Sequence, residues 1–305
     1  MKDYEPSSLQ HHACLVTRIR DLSHRLDPLA TGSVVKRAGF DGVRAVLFDV
    51  YGTLFVSGSG DISIASDLSS EEAWTEAAMN AGIAGDLCTA APRALRFLHA
   101  VIREKHESAK NLGITCPEVD IREVWRKVLG MLAEQRLVSS EATDSLIEKL
   151  AVEYECLVNP VWPMPDCYAV LKHFREQGVK LGIVSNAQFY TPLLFEALLG
   201  QPVADLGVER ALCMYSYRIR EAKPSVNLFK PILEVLQKTW GITPAETLYV
   251  GNDMLNDILP AAQLGCRTAL FAGDRRSLRL RQDDERCRDL IPDAIVTSLR
   301  QLMEG

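Results

Sequence analysis

The sequence has no run of roughly 18 consecutive apolar residues, the length a membrane helix needs, so no membrane role is expected. Residues 1–10 are polar and lack the apolar core of a secretory signal, so the expectation is a soluble, cytoplasmic protein. Basic residues are not in excess: 34 Lys plus Arg stand against 40 Asp plus Glu, for a formal net charge of −6. Phosphate-backbone binding is dominated by Lys and Arg, so nucleic acid is not expected as a partner. The eight cysteines (14, 88, 116, 156, 167, 213, 266 and 287) include no CxxC pair. That excludes the common zinc and redox spacings and suits buried, reduced thiols. No internal repeat or low-complexity tract is present. What the chain does have is 305 residues that are 47% hydrophobic. It can bury a large core, and its length predicts a main domain with an insert, or two domains.

Residues 8–26 place Leu9, Ala13, Val16, Ile19, Leu22 and Leu26 on one helical face. Asp27-Pro28 closes this amphipathic helix and residues 31–33 read as a linker. The apolar face is expected to pack on the body of the protein, with a homodimer contact as the alternative. His11, His12 and Cys14 could hold a metal, but adjacent histidines diverge on a helix, which favours a solvated helix start.

Short apolar runs then recur at 44–50, 180–185, 211–216, 247–250, 267–271 and 294–297. Helical periodicity fills the intervals near 166–177, 192–199, 229–239 and 257–264. Strands alternating with helices predict an α/β fold, a doubly wound parallel sheet of Rossmann-like form. From 61 to 160 only helical patterns occur, opened by a capping box at 69–72. So long an interruption reads as a helical lid over the strand ends. The expected organisation is an N-terminal helix and linker at 1–42, a core at 43–60 and 161–305, and a helical cap at 61–160. The stretch 274–289 mixes six arginines with five acids and reads as a solvated surface segment.

Ligands of parallel α/β sheets bind at the carboxyl ends of the strands. Those ends carry Asp49, then Ser185-Asn186, then Lys223-Pro224, then Gly251-Asn252-Asp253 with Asp257 one helical turn later. Each alone has a bland reading: Asp49 as a turn former, Lys223 in a surface loop, Ser185 and Asp257 as helix caps. Together they supply a nucleophilic carboxylate, a hydroxyl, a cation and two further acids. That set suits attack on a dianionic phosphoryl group with Mg²⁺ balancing charge.

In these four motifs (Phe48-Asp-Val-Tyr-Gly-Thr-Leu54, Gly182-Ile-Val-Ser-Asn-Ala187, Glu221-Ala-Lys-Pro224 and Val250-Gly-Asn-Asp-Met-Leu-Asn-Asp257) the chain resembles the haloacid dehalogenase superfamily of hydrolases. The resemblance covers residues 43–273, and the helical insert matches that family's cap. It implies Asp49 as the nucleophile, with Asp49, the Tyr51 carbonyl, Asp253 and Asp257 around Mg²⁺. Ser185 and Lys223 would serve the transferring group, while Tyr51, Gly52, Thr53, Asn186 and Asn252 would line the substrate; residues 55–64 would gate the site.

Two positions depart from the family's phosphatases. Tyr51 stands where they carry a second Asp as general acid and base, and a phenol of pKa about 10 suits that role poorly. The family's dehalogenases do carry Tyr there, but without acids in the fourth motif. Asn252 replaces the usual first Asp after the glycine. The expected function is a Mg²⁺-dependent phosphohydrolase of a small phosphorylated metabolite, acting through an aspartyl-phosphate. The alternatives are a metal-free 2-haloacid dehalogenase or a binding or regulatory protein with weak activity. Asp49→Asn keeps the shape but removes the nucleophile. The purified variant is expected to lose turnover with its circular dichroism unchanged; full activity, with deamidation excluded, removes Asp49 from the role.

Overall fold

The computed structural model describes residues 6–37, 39–59 and 70–304. The capping position Ser69 and residues 60–64 of the expected gating loop lie outside them. Helix α1 (Pro6–Leu22) precedes the central strand β1 (Ala45–Phe48) and the short β2 (Phe55–Ser57). Four helices follow: α2 (Ser70–Ala81), α3 (Leu87–Asn111), α4 (Ile121–Glu134) and α5 (Asp144–Val158). The chain returns through β3 (Val161–Pro163), α6 (Cys167–Glu176), β4 (Lys180–Ser185) and α7 (Thr191–Leu199). It continues with β5 (Val208–Tyr215), α8 (Ser216–Ile219), α9 (Lys230–Trp240), β6 (Thr247–Gly251), α10 (Leu259–Gln263), β7 (Arg267–Phe271) and β8 (Ala294–Val296). No helix among the described residues is long and apolar enough to cross a membrane.

The sheet runs β5-β4-β1-β6-β7-β8 with every pairing parallel. β1 is fully buried, with Phe48 opposite Ile183 on one side and Val250 on the other. Near-continuous apolar strands are what a sheet covered on both faces requires. Because β4 and β6 flank β1, their carboxyl ends open into one crevice.

The inserted helices bury their apolar faces in a core continuous with that of the sheet. Trp74 and Trp125 are buried, and Trp125 meets Tyr154 edge to face at 5.3 Å. Asp86, Asp120 and Thr143 cap α3, α4 and α5 by accepting from the backbone N–H groups of Thr89, Arg122 and Leu146. The Pro-rich return pairs antiparallel with β2, so chain entering and leaving the insert runs as one ribbon.

Several boundaries shift for local reasons. Helix α1 stops at Leu22, where the Ser23 hydroxyl donates to the Ile19 carbonyl at 2.7 Å. The expected linker is docked: the Leu29 N–H donates to Asp274, Thr31 donates to the Ala272 carbonyl, and Lys36 forms a bridge with Ile295. The helix expected at 257–264 begins as a π-helical turn, Met254–Ile258, capped by Asp253.

Helix α1 packs on the body, against α5 of the insert and α7 of the sheet domain. Arg18 makes a two-pronged pair with Glu153 (2.5 and 2.9 Å), and Asn80 also donates to Glu153 at 3.2 Å. His11 meets Glu148, His12 meets Glu196, and Arg20 donates to the Ala197 carbonyl. Glu153 is only 2% exposed, so losing its cation leaves a charge in the interior. Arg18→Ala is therefore expected to cost about 1–3 kcal/mol in urea unfolding, discounted because the arginine is partly exposed. Adding Glu153→Gln should recover part of it; no recovery would show that the cost lies in packing.

Candidate active site

Asp49 follows β1 directly, and its backbone N–H donates to the Val250 carbonyl at 2.9 Å, extending the ladder by one residue. Its side chain is buried and its Oδ1 accepts from Lys223 Nζ at 2.7 Å. The same ammonium donates to Asp257 Oδ1 at 2.5 Å and to the Tyr249 hydroxyl at 3.2 Å. All three protons of Lys223 are thus placed. Asp257 reaches this point because Gly251 has no side chain: a Cβ there would sit 2.4 Å from the Asp257 Cγ. Asp257 Oδ2 then accepts from the backbone N–H groups of Asn252 and Asp253, each at 2.9 Å.

The electrostatics follow from burial. Burial pulls the Lys223 ammonium down, but Asp257 and Asp49 outweigh it and hold the lysine above its ordinary range. Burial, reinforced by Asp49 and Asp253 and opposed by Lys223, pushes the Asp257 carboxyl up to about 7. Tyr249, inside β6 and so read only as strand, is a member of this cluster. Its hydroxyl lies 2.8 Å from the Val184 carbonyl and 3.1 Å from Asp257.

The remaining expected residues divide into those near this cluster and those turned away. Ser185 is buried, with its hydroxyl 3.4 Å from the Asn186 carbonyl. The Asn186 side chain clasps the Lys223 backbone, accepting from its N–H at 2.7 Å. Tyr51 points elsewhere: its hydroxyl pairs with Thr191 at 2.9 Å. Burial first, then Glu155, drives its phenol well above its ordinary value. A phenol so placed is an even poorer proton donor than a free one. Beside it lies a small cavity of about 10 Å³, bounded by Ile19, Tyr51, Glu155 and Tyr190, room for about one water. Thr53 donates to Asn252 at 3.0 Å, and Asn252 donates to the Ser277 carbonyl at 2.6 Å. Gly52, at φ +81°, packs where any Cβ would lie 2.4 Å from that of Ser277. These three residues tie the first motif to the segment after β7.

That segment is no solvated loop. Asp274, Ser277 and Cys287 are buried. Arg279 donates its backbone N–H to the Asn252 carbonyl and accepts from the Met254 N–H. Arg281 grips Asp253 with Nε and Nη2, the shortest contact being 2.6 Å. Asp253 also accepts from the Leu255 and Asn256 N–H groups and the Asn256 side chain. The arginine run gave no sign of this, because sequence alone cannot say which member of a charge run meets a buried acid.

The metal set expected from the resemblance is not assembled. Asp253 and Asp257 have their oxygens taken by cations and N–H donors, leaving Asp49 Oδ2 and the Tyr51 carbonyl. Among the described residues, no three His, Cys, Asp or Glu side chains group as a metal site. The residues present do not fit a four-ligand Mg²⁺ site.

The insert closes directly on this crevice. Ala222 N–H donates to the Cys116 carbonyl and Glu118 N–H to the Arg220 carbonyl. Ser216 donates to the Glu118 carboxylate at 2.9 Å, and burial raises that carboxyl. Gln188, just beyond the second motif, exchanges hydrogen bonds with the Val119 carbonyl and the Ile121 N–H.

A family model described as haloacid dehalogenase-like hydrolase matches residues 43–265. A glyceraldehyde 3-phosphate phosphatase of Methanopyrus kandleri is 25% identical over 267 residues, covering 86% of this chain and 96% of that protein. A 2-haloacid dehalogenase structure from Pseudomonas syringae is 21% identical and covers 86% of this chain and 97% of its own, with TM-score 0.53. A phosphatase structure from Thermococcus onnurineus is 19% identical over 86% of this chain and 96% of its own, with TM-score 0.47. The Pseudomonas syringae likeness bears on the fold alone.

Removing Lys223 exposes two acids to each other in the interior. Lys223→Ala is expected to lower turnover by orders of magnitude and to cost about 3–5 kcal/mol of stability. Asp257→Asn in the same protein should restore much of the melting temperature but not the rate. Wild-type melting in Lys223→Ala alone would contradict the buried pair.

Proposed function

The chain belongs to the haloacid dehalogenase-like hydrolases, and from that premise we propose that it hydrolyses a small phosphate monoester with Asp49 as nucleophile. The observation that carries this reading is the buried Lys223, held 2.7 Å from the Asp49 carboxylate. A fixed cation beside the nucleophile favours an anionic substrate and offsets charge that develops in transfer. The Methanopyrus kandleri phosphatase, at 25% identity over nearly its whole length, supports the same class.

In this reading the free Asp49 oxygen attacks phosphorus, the substrate oxygen departs, and an aspartyl-phosphate forms. Water then attacks that phosphorus and releases phosphate with Asp49 restored. Asn186, which clasps the Lys223 backbone, and Ser185 position the phosphoryl oxygens in this reading. Tyr51 donates to none of these atoms, so the leaving group takes its proton from water or from the substrate. Good leaving groups should therefore react fastest. Magnesium dependence rests on the resemblance alone, and no step here passes through it. The eight cysteines are all free, which suits a reducing, cytoplasmic setting.

A second reading is displacement of halide from a 2-haloacid. It is favoured by the Tyr51 phenol turned to Thr191 and by Asp253 held on Arg281, since attack at carbon needs neither an acid nor a metal. The two readings separate in one panel: p-nitrophenyl and alkyl phosphates, with Mg²⁺ or with EDTA, and halide release from 2-haloacids in parallel. We expect phosphate release that falls steeply as leaving-group pKa rises. Halide release without phosphate release, unchanged by EDTA, would transfer the assignment to the second reading.

A further inference from the structure

Asp253 was expected to hold a metal, yet its carboxylate is already held by a cation. Arg281 approaches with Nε at 3.1 Å from Oδ1 and Nη2 at 2.6 Å from Oδ2, a two-pronged grip on a side chain 9% exposed. Paired N–H donors of this kind are among the stronger charge-assisted contacts. Three further observations show that the contact is built in. The backbone at 279 is zipped in parallel onto 252–254 by two hydrogen bonds. The Asn252 side chain fastens the same segment at the Ser277 carbonyl. Arg281 also sits at φ +51°, a left-handed conformation that a non-glycine residue adopts at a cost of about 1 kcal/mol or more. The chain accepts that strain while presenting the guanidinium to Asp253.

We propose that Arg281 is the resident counter-cation of Asp253, standing at that carboxylate where a divalent metal would otherwise bind. It is a positioning residue: it acts through Asp253, and it leaves the site with weak affinity for divalent ions. The proposal deepens the hydrolase reading by assigning the positive charge of the site to two side chains, Lys223 and Arg281. It extends to either substrate class, because it concerns the cation and not the leaving group.

The test is binding, with no substrate present. Mn²⁺ alone is titrated into the full-length protein, and free Mn²⁺ is followed by electron paramagnetic resonance. Arg281→Gln should bind Mn²⁺ about tenfold or more tightly than wild type, since a unit charge is removed within a few ångströms of the ion. Arg281→Lys should return affinity towards wild type, which a merely structural role would not do. Asp253→Asn in the Arg281→Gln protein should abolish the gain. Asn caps helices as well as Asp, so the doubly neutral Asp253→Asn, Arg281→Gln protein should fold; its Mn²⁺ affinity should match wild type, because the pair it replaces carries no net charge. Weaker Mn²⁺ binding in that double variant would show that Asp253 takes up metal in the wild type while Arg281 steps aside, and would overturn the proposal even if Arg281→Gln alone fails to fold. An Arg281→Gln protein that folds and binds no better than wild type would overturn it too. Failure of the phosphatase assays leaves these outcomes unchanged, so the two ideas fall separately.

Discussion

One ammonium group buried between two carboxylates is the constraint around which the rest of the site is arranged. Lys223 can be charged in the interior only because Asp49 and Asp257 face it, and they tolerate each other only because it lies between them. The glycine that ends β6 makes room for Asp257, and the Asn252 and Asp253 amides satisfy its second oxygen. Asn186 fixes the lysine backbone from the opposite strand. Three neighbouring strands are thereby joined at their carboxyl ends through one side chain, while Asp49 keeps one oxygen that no described donor reaches.

The three acids of the crevice share a charge type and differ in surroundings. Asp49 has one cation and a free oxygen, which is what a nucleophile needs. Asp257 is enclosed, and its raised carboxyl reflects that burial. Asp253 is a helix cap and an arginine partner at once. Environment, more than residue type, divides the work among them.

The parallel sheet and the meeting of Asp49, Lys223 and Asp257 were legible in the sequence, because apolar runs mark buried strands and strand ends share an edge. Side-chain direction was not legible. Tyr51 lies two residues past the nucleophile, but its hydroxyl meets Thr191, which is 140 residues away in the chain. Tyr249 looked like one more apolar strand residue, and Arg281 like one more charge in a mixed run. Gln188 and Glu118 carried no pattern at all, since their importance lies in contacts between segments far apart in sequence. The end of α1 was misplaced by four residues because the periodicity continues to Leu26 whereas the Ser23 hydroxyl ends the helix. Local hydrogen bonding won over pattern there.

The N-terminal segment has a consequence for the order of assembly. Arg18 pairs with Glu153, His12 with Glu196, Leu29 with Asp274 and Lys36 with Ile295. Residues 12–36 thus find partners spread over residues 153–295, all of which follow them in the chain. During synthesis α1 waits, with its apolar face uncovered, until α5 and α7 have emerged, and the strap at 29–36 waits for the final strand. Residues 12–36 can come to rest only after the later segments that hold them.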